Sequence, residues 1–217
     1  FGNAWALRSY YGRMNFVAKD KYLLEINSRY DGSSRFASDF KRYGYLPSFS
    51  AGWIISNESF FHKNDIITWA KLRASYGEVG NDQIGGRRYL YLPNTWVVNG
   101  AGSFWGNSDG SSTNPNFPGA TESALGNSLV TWERAQKYNF SADLKFFKDK
   151  LSLSASVFLE KRNNILVTSS LIPSTFGVPQ ANTPPLNLGK VSNRGYEIEA
   201  EFNDKVGQIG YFVKANY

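Results

Sequence analysis

The stretch Lys137-Tyr138-Asn139-Phe140-Ser141-Ala142-Asp143-Leu144-Lys145-Phe146 decides the fold. Its apolar side chains fall on every second residue, and the positions between them are Lys, Asn, Ser, Asp and Lys. A period of two puts successive side chains on opposite faces of a strand, whereas a helix would need apolar residues three and four apart. Past Lys148-Asp149-Lys150 the alternation resumes, with Leu151, Leu153, Ala155, Val157 and Leu159 set against Ser152, Ser154, Ser156, Phe158 and Glu160. Two alternating runs joined by so short a link read as an antiparallel hairpin with one apolar and one polar face.

The same period runs outward in both directions. Tyr22, Leu24, Ile26 and Tyr30 alternate with Leu23, Glu25, Asn27 and Arg29, and Tyr196, Ile198, Ala200 and Phe202 with Glu197, Glu199 and Glu201. The pattern predicts eight strands, at about 4–18, 21–31, 43–56, 66–77, 135–147, 151–162, 189–203 and 209–217. Most reach the ~9–11 residues with which a tilted strand crosses a bilayer, against ~5–6 for a usual soluble strand. A further short strand is expected at Arg88-Tyr89-Leu90-Tyr91-Leu92, and one helical turn at Glu58-Ser59-Phe60-Phe61.

The connections alternate in length. Lys19-Asp20, Lys148-Asp149-Lys150 and Asp204 to Gln208 are short, and Asn57 to Asp65 is intermediate. Residues 32–42, 78–134 and 163–188 are long and rich in Gly, Asn, Ser or Pro. Outer-membrane barrels put short turns in the periplasm and long loops outside, which assigns 1–3 and the three long segments to the outside. The expected fold is therefore all-β: an antiparallel up-and-down transmembrane β-barrel segment, with about eight strands of a larger barrel.

Composition narrows function. The absence of Cys excludes disulfides, thiolate catalysis and Cys-based zinc sites. A net charge of +6 invites a nucleic-acid reading, but Lys and Arg are spread along the chain without a run, so no nucleic-acid partner is expected. No segment approaches the ~20 apolar residues of a membrane helix, and Phe1-Gly2-Asn3 opens no signal peptide. The final Phe212-Val213-Lys214-Ala215-Asn216-Tyr217 reads as mid-strand, so both ends look cut and a fragment is expected.

No catalytic, cofactor or metal site is expected. The sole histidine, His62, reads as a solvated turn residue. Glu197, Glu199 and Glu201 share a strand face at ~7 Å spacing, which permits a glycosidase or cation reading but equally fits a polar barrel wall. Gly77-Glu78-Val79-Gly80-Asn81 and Gly85-Gly86 lack the Gly-Lys-Ser/Thr of a phosphate loop, and Asn107-Ser108-Asp109-Gly110 lacks the acidic spacing of an EF-hand. Glu25, Arg29, Lys71, Arg73, Asp143, Lys145, Glu160, Glu197, Glu199 and Glu201 are expected to face a watery or plugged lumen, because in lipid Lys or Arg would cost ~2–4 kcal/mol each near the midplane. Tyr45, Phe49, Trp53, Tyr138, Phe140, Phe146, Tyr196 and Phe202 are expected to face lipid. In the longest loop Trp96, Phe104, Trp105 and Phe117 are candidates for substrate contact, and equally for loop packing or contact with a cap protein.

Several runs resemble the barrel of SusC/RagA-type TonB-dependent transporters. They are Tyr11-Gly12-Arg13-Met14-Asn15-Phe16 with Lys19 to Leu24, Arg29-Tyr30-Asp31-Gly32-Ser33-Ser34-Arg35-Phe36, and Leu46 to Trp53 with Ile55-Ser56-Asn57-Glu58. Lys71 to Gly77 with Gly80-Asn81, Thr131-Trp132-Glu133 and Asn193-Arg194-Gly195-Tyr196-Glu197 follow in the family's order. The resemblance implies that residues 1–217 are a partial TonB-dependent receptor β-barrel domain, with the plug and the barrel's C-terminal part absent from the chain. It implies import of nutrient oligomers (glycan or peptide fragments), energy coupling to the TonB complex through the missing plug, and a SusD-like surface lipoprotein as cap. The residues alone leave two other readings: a small closed outer-membrane barrel serving as anchor or adhesin, and a soluble carbohydrate-binding β-sandwich.

Overall fold

A computed structural model describes residues 4–38, 41–62, 64–83, 89–92, 96–99, 119–122, 125–167 and 183–217, with backbone only at 96–99 and 119–122. The strands are β1 (Leu7–Ala18), β2 (Tyr22–Ser33), β3 (Tyr43–Ile54), β4 (Ile67–Asn81), β5 (Trp96–Asn99), β6 (Gly119–Glu122), β7 (Glu133–Phe146), β8 (Leu151–Val167), β9 (Leu186–Val206) and β10 (Ile209–Asn216). Eight of them form one antiparallel sheet in the order β1-β2-β3-β4-β7-β8-β9-β10, and β5 pairs with β6 separately. Within the large sheet each strand lies beside the next one in chain order, β5 and β6 falling between β4 and β7, which is the up-and-down arrangement expected. The sheet is open, since β1 and β10 are its two edges.

The long strands follow from the turn chemistry at one end. Lys21 N–H donates to Ala18 O at 3.1 Å across Lys19 and Asp20, whose φ angles are 51° and 52°. Lys150 N–H donates to Phe147 O at 3.3 Å across Lys148 and Asp149, at φ 57° and 68°. Two central residues with positive φ are the turn geometry whose twist matches flanking antiparallel strands. The same Lys-Asp dipeptide thus closes both hairpins. Gly207, at φ 63°, turns the third, where a left-handed residue without Cβ is unstrained.

Two expectations shift, and a third gains a detail. Among the described residues the short strands in the longest connection are Trp96–Asn99 and Gly119–Glu122; residues 89–92 instead make a turn, with Leu92 N–H donating to Tyr89 O at 3.1 Å. Leu90 is wanted elsewhere, in a buried cluster. A 3₁₀ turn at Ile55–Asn57 precedes the expected turn at Glu58 to Phe61, which is a single hydrogen-bonded turn with Phe61 N–H donating to Glu58 O at 3.1 Å. β9 is longer than the alternation suggested, because Pro185 marks its start and the ladder with β8 re-registers past Arg162.

Among the described residues no second layer packs on the sheet. The buried hydrophobic cluster is small: Phe36, Leu90, Val130 and Trp132, with Leu166 against it. It sits at the long-loop end, where the ladder between β3 and β4 stops at Ser48 and Gly77. There the Trp132 indole covers Gly44 and Gly80, which leave room for it, and its Nε1–H donates to Arg42 O at 3.0 Å.

Candidate functional site

Cross-strand register settles which side chains share a face. Glu25 lies opposite Ser50, Ser50 opposite Ser75 and Ser75 opposite Asn139. Lys71 lies opposite Asp143, Asp143 opposite Ser154 and Ser154 opposite Glu199. Extended along each strand at period two, these ladders put Glu25, Arg29, Lys71, Arg73, Asp143, Lys145, Glu160, Glu197, Glu199 and Glu201 on one face. Tyr45, Phe49, Trp53, Tyr138, Phe140, Phe146, Tyr196 and Phe202 lie on the other, since Tyr45 opposes Tyr30, Phe49 opposes Tyr76, Tyr76 opposes Tyr138, and Phe202 opposes Leu151.

The polar face is a lattice of paired charges. Arg73 grips Asp143 with two bonds, Nε–Oδ2 at 2.6 Å and Nη2–Oδ1 at 2.9 Å, and Ser154 Oγ donates to Asp143 Oδ1 at 2.7 Å. Arg13 donates to Glu25 at 2.7 Å, and Asn27 donates to the other oxygen of Glu25 at 2.8 Å. Arg29 pairs with Asp31 at 3.0 Å, and Lys214 with Glu199 at 2.7 Å. Arg162 bridges Glu160 at 2.7 Å and Glu133 at 3.6 Å, while Lys137 reaches Glu160 at 3.5 Å. Lys145 Nζ stands 5.7 Å from the centroid of the Trp69 ring. Most of these cations stay about half exposed, so each pair is worth roughly 0.2–1 kcal/mol. What the lattice provides is a wettable wall whose charges can exchange partners.

Sequence reasoning missed Arg13, Asp31, Lys137, Arg162, Lys214 and Trp69 as members of this face. The alternation holds the signal, for Arg13 is separated by Met14 from Asn15 as Lys137 is by Tyr138 from Asn139. Of the loop aromatics, the backbone of Trp96 lies in β5, and Phe104, Trp105 and Phe117 lie outside the described residues. His62 is an exposed turn residue whose Nδ1 meets Phe60 O at 3.1 Å. Among the described residues no three His, Asp or Glu side chains gather as metal ligands.

The apolar face is banded. Tyr10, Tyr30, Tyr45, Tyr76, Tyr138 and Tyr196 each lie about eight to ten residues from the short-turn end of their strand. Tyr22, Trp53, Phe146, Phe202 and Tyr211 mark that end. Between the two bands this face carries no charged residue on any of the eight strands. About nine residues at ~3.3 Å and ~40° tilt rise ~23 Å, close to the ~25 Å apolar belt of an outer-membrane barrel with its aromatic girdles. Tyr10, Phe49, Phe140, Val157 and Ile198 are all exposed, with no other described element covering them.

A family sequence model described as "TonB dependent receptor-like, beta-barrel" matches residues 2–217. The chain belongs to this family. As a segment of a TonB-dependent receptor β-barrel it is part of a bacterial outer-membrane protein. TonB-dependent receptor P39 of Formosa agariphila is 33% identical over 193 residues, covering 89% of this chain and 17% of that protein. TonB-dependent receptor SusC of Bacteroides thetaiotaomicron is 28% identical over 193 residues, covering 88% of this chain and 18% of that protein. The chain thus spans about a sixth of the length of these relatives. Among solved structures, the RagAB peptide importer in its closed-closed state superposes with a TM-score of 0.76 at 23% identity, over 98% of this chain and 21% of the other. This receptor barrel segment is accordingly SusC/RagA-like in fold, and its relatives are named as receptors and importers rather than as enzymes.

The motifs that carry the resemblance turn out to hold the loop bases of the receptor barrel together. Ser33 Oγ donates to Asp82 at 2.8 Å, and the Arg35 guanidinium donates to Asp82 O at 3.1 Å and stands 5.3 Å over the Trp5 ring. Phe36 packs on Trp132 with ring centroids 5.2 Å apart. Asn187 donates to Thr131 O and Asn164 O and accepts from Thr131 N–H. At the opposite end Glu58 accepts from Lys21 at 2.9 Å, Tyr22 at 2.7 Å and Trp53 Nε1 at 3.1 Å. The Tyr22 hydroxyl first, then Lys21 and Trp53, push the Glu58 carboxyl down to about 2. Glu58 thereby ties two girdle aromatics to the short-turn side.

Proposed function

We propose that the protein to which this segment belongs imports nutrient oligomers across the outer membrane as a SusC-like transporter. The observation that carries the proposal is the division of one continuous sheet into a charge-free, tyrosine-bounded face and a face of paired charges. A wall between lipid and water needs such a sheet. In this reading the polar face, with Glu25, Arg29, Lys71, Arg73, Asp143, Lys145, Glu160, Glu197, Glu199 and Glu201, lines the lumen and meets the plug and the passing substrate. The long-loop end faces outside. There Trp96, Phe104, Trp105 and Phe117 offer ring faces to a sugar or peptide, or to a SusD-like lipoprotein cap.

In this reading TonB drives transport through a plug, and no bond of the substrate is broken. The buried cluster of Phe36, Leu90, Val130 and Trp132 supports the reading, because it gives the outer loops a fixed base. The substrate class is glycan or peptide fragments; SusC and the RagAB peptide importer, both similar to this chain, favour neither alone. The other two readings lose support here. Among the described residues the eight strands form one sheet with two edges, which favours neither a small closed barrel nor a sandwich.

The test is uptake in cells producing the full-length protein, offered fluorescent oligosaccharides and peptides of about four to ten units. Energy-dependent accumulation of one class, abolished by an uncoupler of the proton-motive force, is expected. Accumulation of both classes at the rate of cells lacking the protein would contradict import.

A further inference from the structure

Just beyond the outer row of tyrosines, the apolar face changes from hydrocarbon to cations. Gln136 lies opposite Lys161, and Lys161 opposite Ser192. On β9 the residues of the same face continue through Lys190, Ser192, Arg194 and Tyr196, so Lys190 and Arg194 flank Ser192. Lys161 is diagonal to both Lys190 and Arg194, at ~7–8 Å, while Lys190 and Arg194 are ~13 Å apart along β9, a span that their long side chains can close on an anion seated beside Lys161.

All three are exposed, and among the described residues none has an acidic partner. Their neighbour Arg134 differs: its Nη1 stands 3.3 Å from Glu78 Oε2, and Glu78 also accepts from Gln136 at 3.2 Å. On the polar face Lys71 and Lys145 are likewise without an ion pair, but Lys71 stands directly opposite the carboxylate of Asp143 and Lys145 lies over the Trp69 ring, whereas no carboxylate opposes Lys161 or Arg194 in the ladders.

Their depth says what meets them. Arg194 lies about twelve residues above the short-turn end of β9, two beyond Tyr196, and the charge-free band ends at that tyrosine. Lys161 stands opposite Ser192, four residues beyond Tyr196, and Lys190 lies six beyond it, so the three cations run outward from the girdle into the headgroup layer, where Lys and Arg cost little and gain from anionic lipid. We propose that Lys161, Lys190 and Arg194 form a binding site for the phosphate of an anionic lipid headgroup in the leaflet on the long-loop side. The Arg194 fork donates to two phosphate oxygens, and the two lysines supply point charges from either side. The site lies on the membrane face of the barrel and is independent of the substrate carried in the lumen.

The test uses the full-length protein, delipidated in neutral detergent and offered bis-phosphorylated lipid A, its dephosphorylated form, or inorganic phosphate, with retention read by native mass spectrometry. Retention of the phosphorylated lipid is expected to fall about fivefold per cation removed, or roughly a hundredfold in Lys161→Gln/Lys190→Gln/Arg194→Gln. Ser192→Glu, which puts a carboxylate amid the three cations, is expected to weaken retention while Ser192→Gln leaves it unchanged. That pair decides the matter if the triple variant does not assemble. Equal retention by wild type and the Ser192→Glu variant, or equal retention of the dephosphorylated lipid, would overturn the proposal. Displacement of the lipid by millimolar inorganic phosphate would also overturn it, by making the site one for free anions.

Discussion

A Cβ built on Gly195 would come within 2.8 Å of Phe158 Cζ, because the Phe158 ring lies across the glycine on the polar face of the β8–β9 ladder. Phe158 is the one large aromatic that interrupts the serines of β8, and Gly195 is where its ring rests. Gly195→Ala is therefore expected to push the ring off the wall and cost about 1–3 kcal/mol, the range of small overpacking changes. Phe158→Ala in the same molecule should recover most of the loss. Urea unfolding of the full-length barrel in detergent checks both, and equal stability of wild type and Gly195→Ala would show that the ring does not depend on the glycine.

The two Lys-Asp turns give a graded pair. Asp20 and Asp149 both hold left-handed backbone, which costs a residue with a Cβ roughly 1–2 kcal/mol. The Asp20 side chain has no bond to lose, so Asp20→Gly should stabilise by about 1 kcal/mol. Asp149 accepts from Thr68 Oγ1 at 2.8 Å, so Asp149→Gly should gain less or nothing. The difference in urea midpoint between the two variants reads this out.

Glu58 predicts a pH effect at the short-turn end. Its folded carboxyl is held at about 2, below the ~4.3 of an unrestrained Glu. A depressed carboxylate contributes stability that is fully present above the unfolded value and is lost as pH falls through the folded one. The link to Tyr22 and Trp53 should therefore persist at pH 5 and fail between about pH 4 and pH 2. Trp53 fluorescence should change over that window in wild type and stay flat in Glu58→Gln. A transition above pH 5 would contradict the assignment.

Charge removal on the polar face should be mild. Asp143→Asn breaks the two-bonded grip of Arg73, whose side chain is 49% exposed, and should cost no more than about 1 kcal/mol. Val157→Lys, on the apolar face of the neighbouring strand, should cost about 2–4 kcal/mol in a bilayer. Parallel unfolding titrations in lipid vesicles compare the two.

The sheet was readable because a strand that separates two solvents must alternate, and β7 and β8 do so from Tyr138 to Phe146 and from Leu151 to Leu159 with Phe158 as the one exception. Boundaries failed where alternation does not control them. β9 extends up to Leu186 through Asn187, whose side chain bonds Thr131 and Asn164, a tertiary reason invisible in the period. Leu90 looked like strand because it sits among tyrosines, yet it turns inward to meet Phe36 and Trp132 across the loops. The charged wall was legible as a face, but its pairing was not. That Arg73 takes Asp143 while Lys71, directly opposite Asp143, does not depends on side-chain reach across the ladder.

The most direct measurement of the two-faced sheet exploits the absence of cysteine from this chain. Single cysteines are placed at Ser152, Leu153, Ser154, Ala155, Ser156 and Val157 of β8 in the full-length protein, with any cysteines elsewhere in it replaced. Membranes are then treated with a charged maleimide. The account predicts labelling at 152, 154 and 156 and protection at 153, 155 and 157, a period of two set by water on one side and lipid on the other. Uniform labelling, or uniform protection, along the six positions would contradict it.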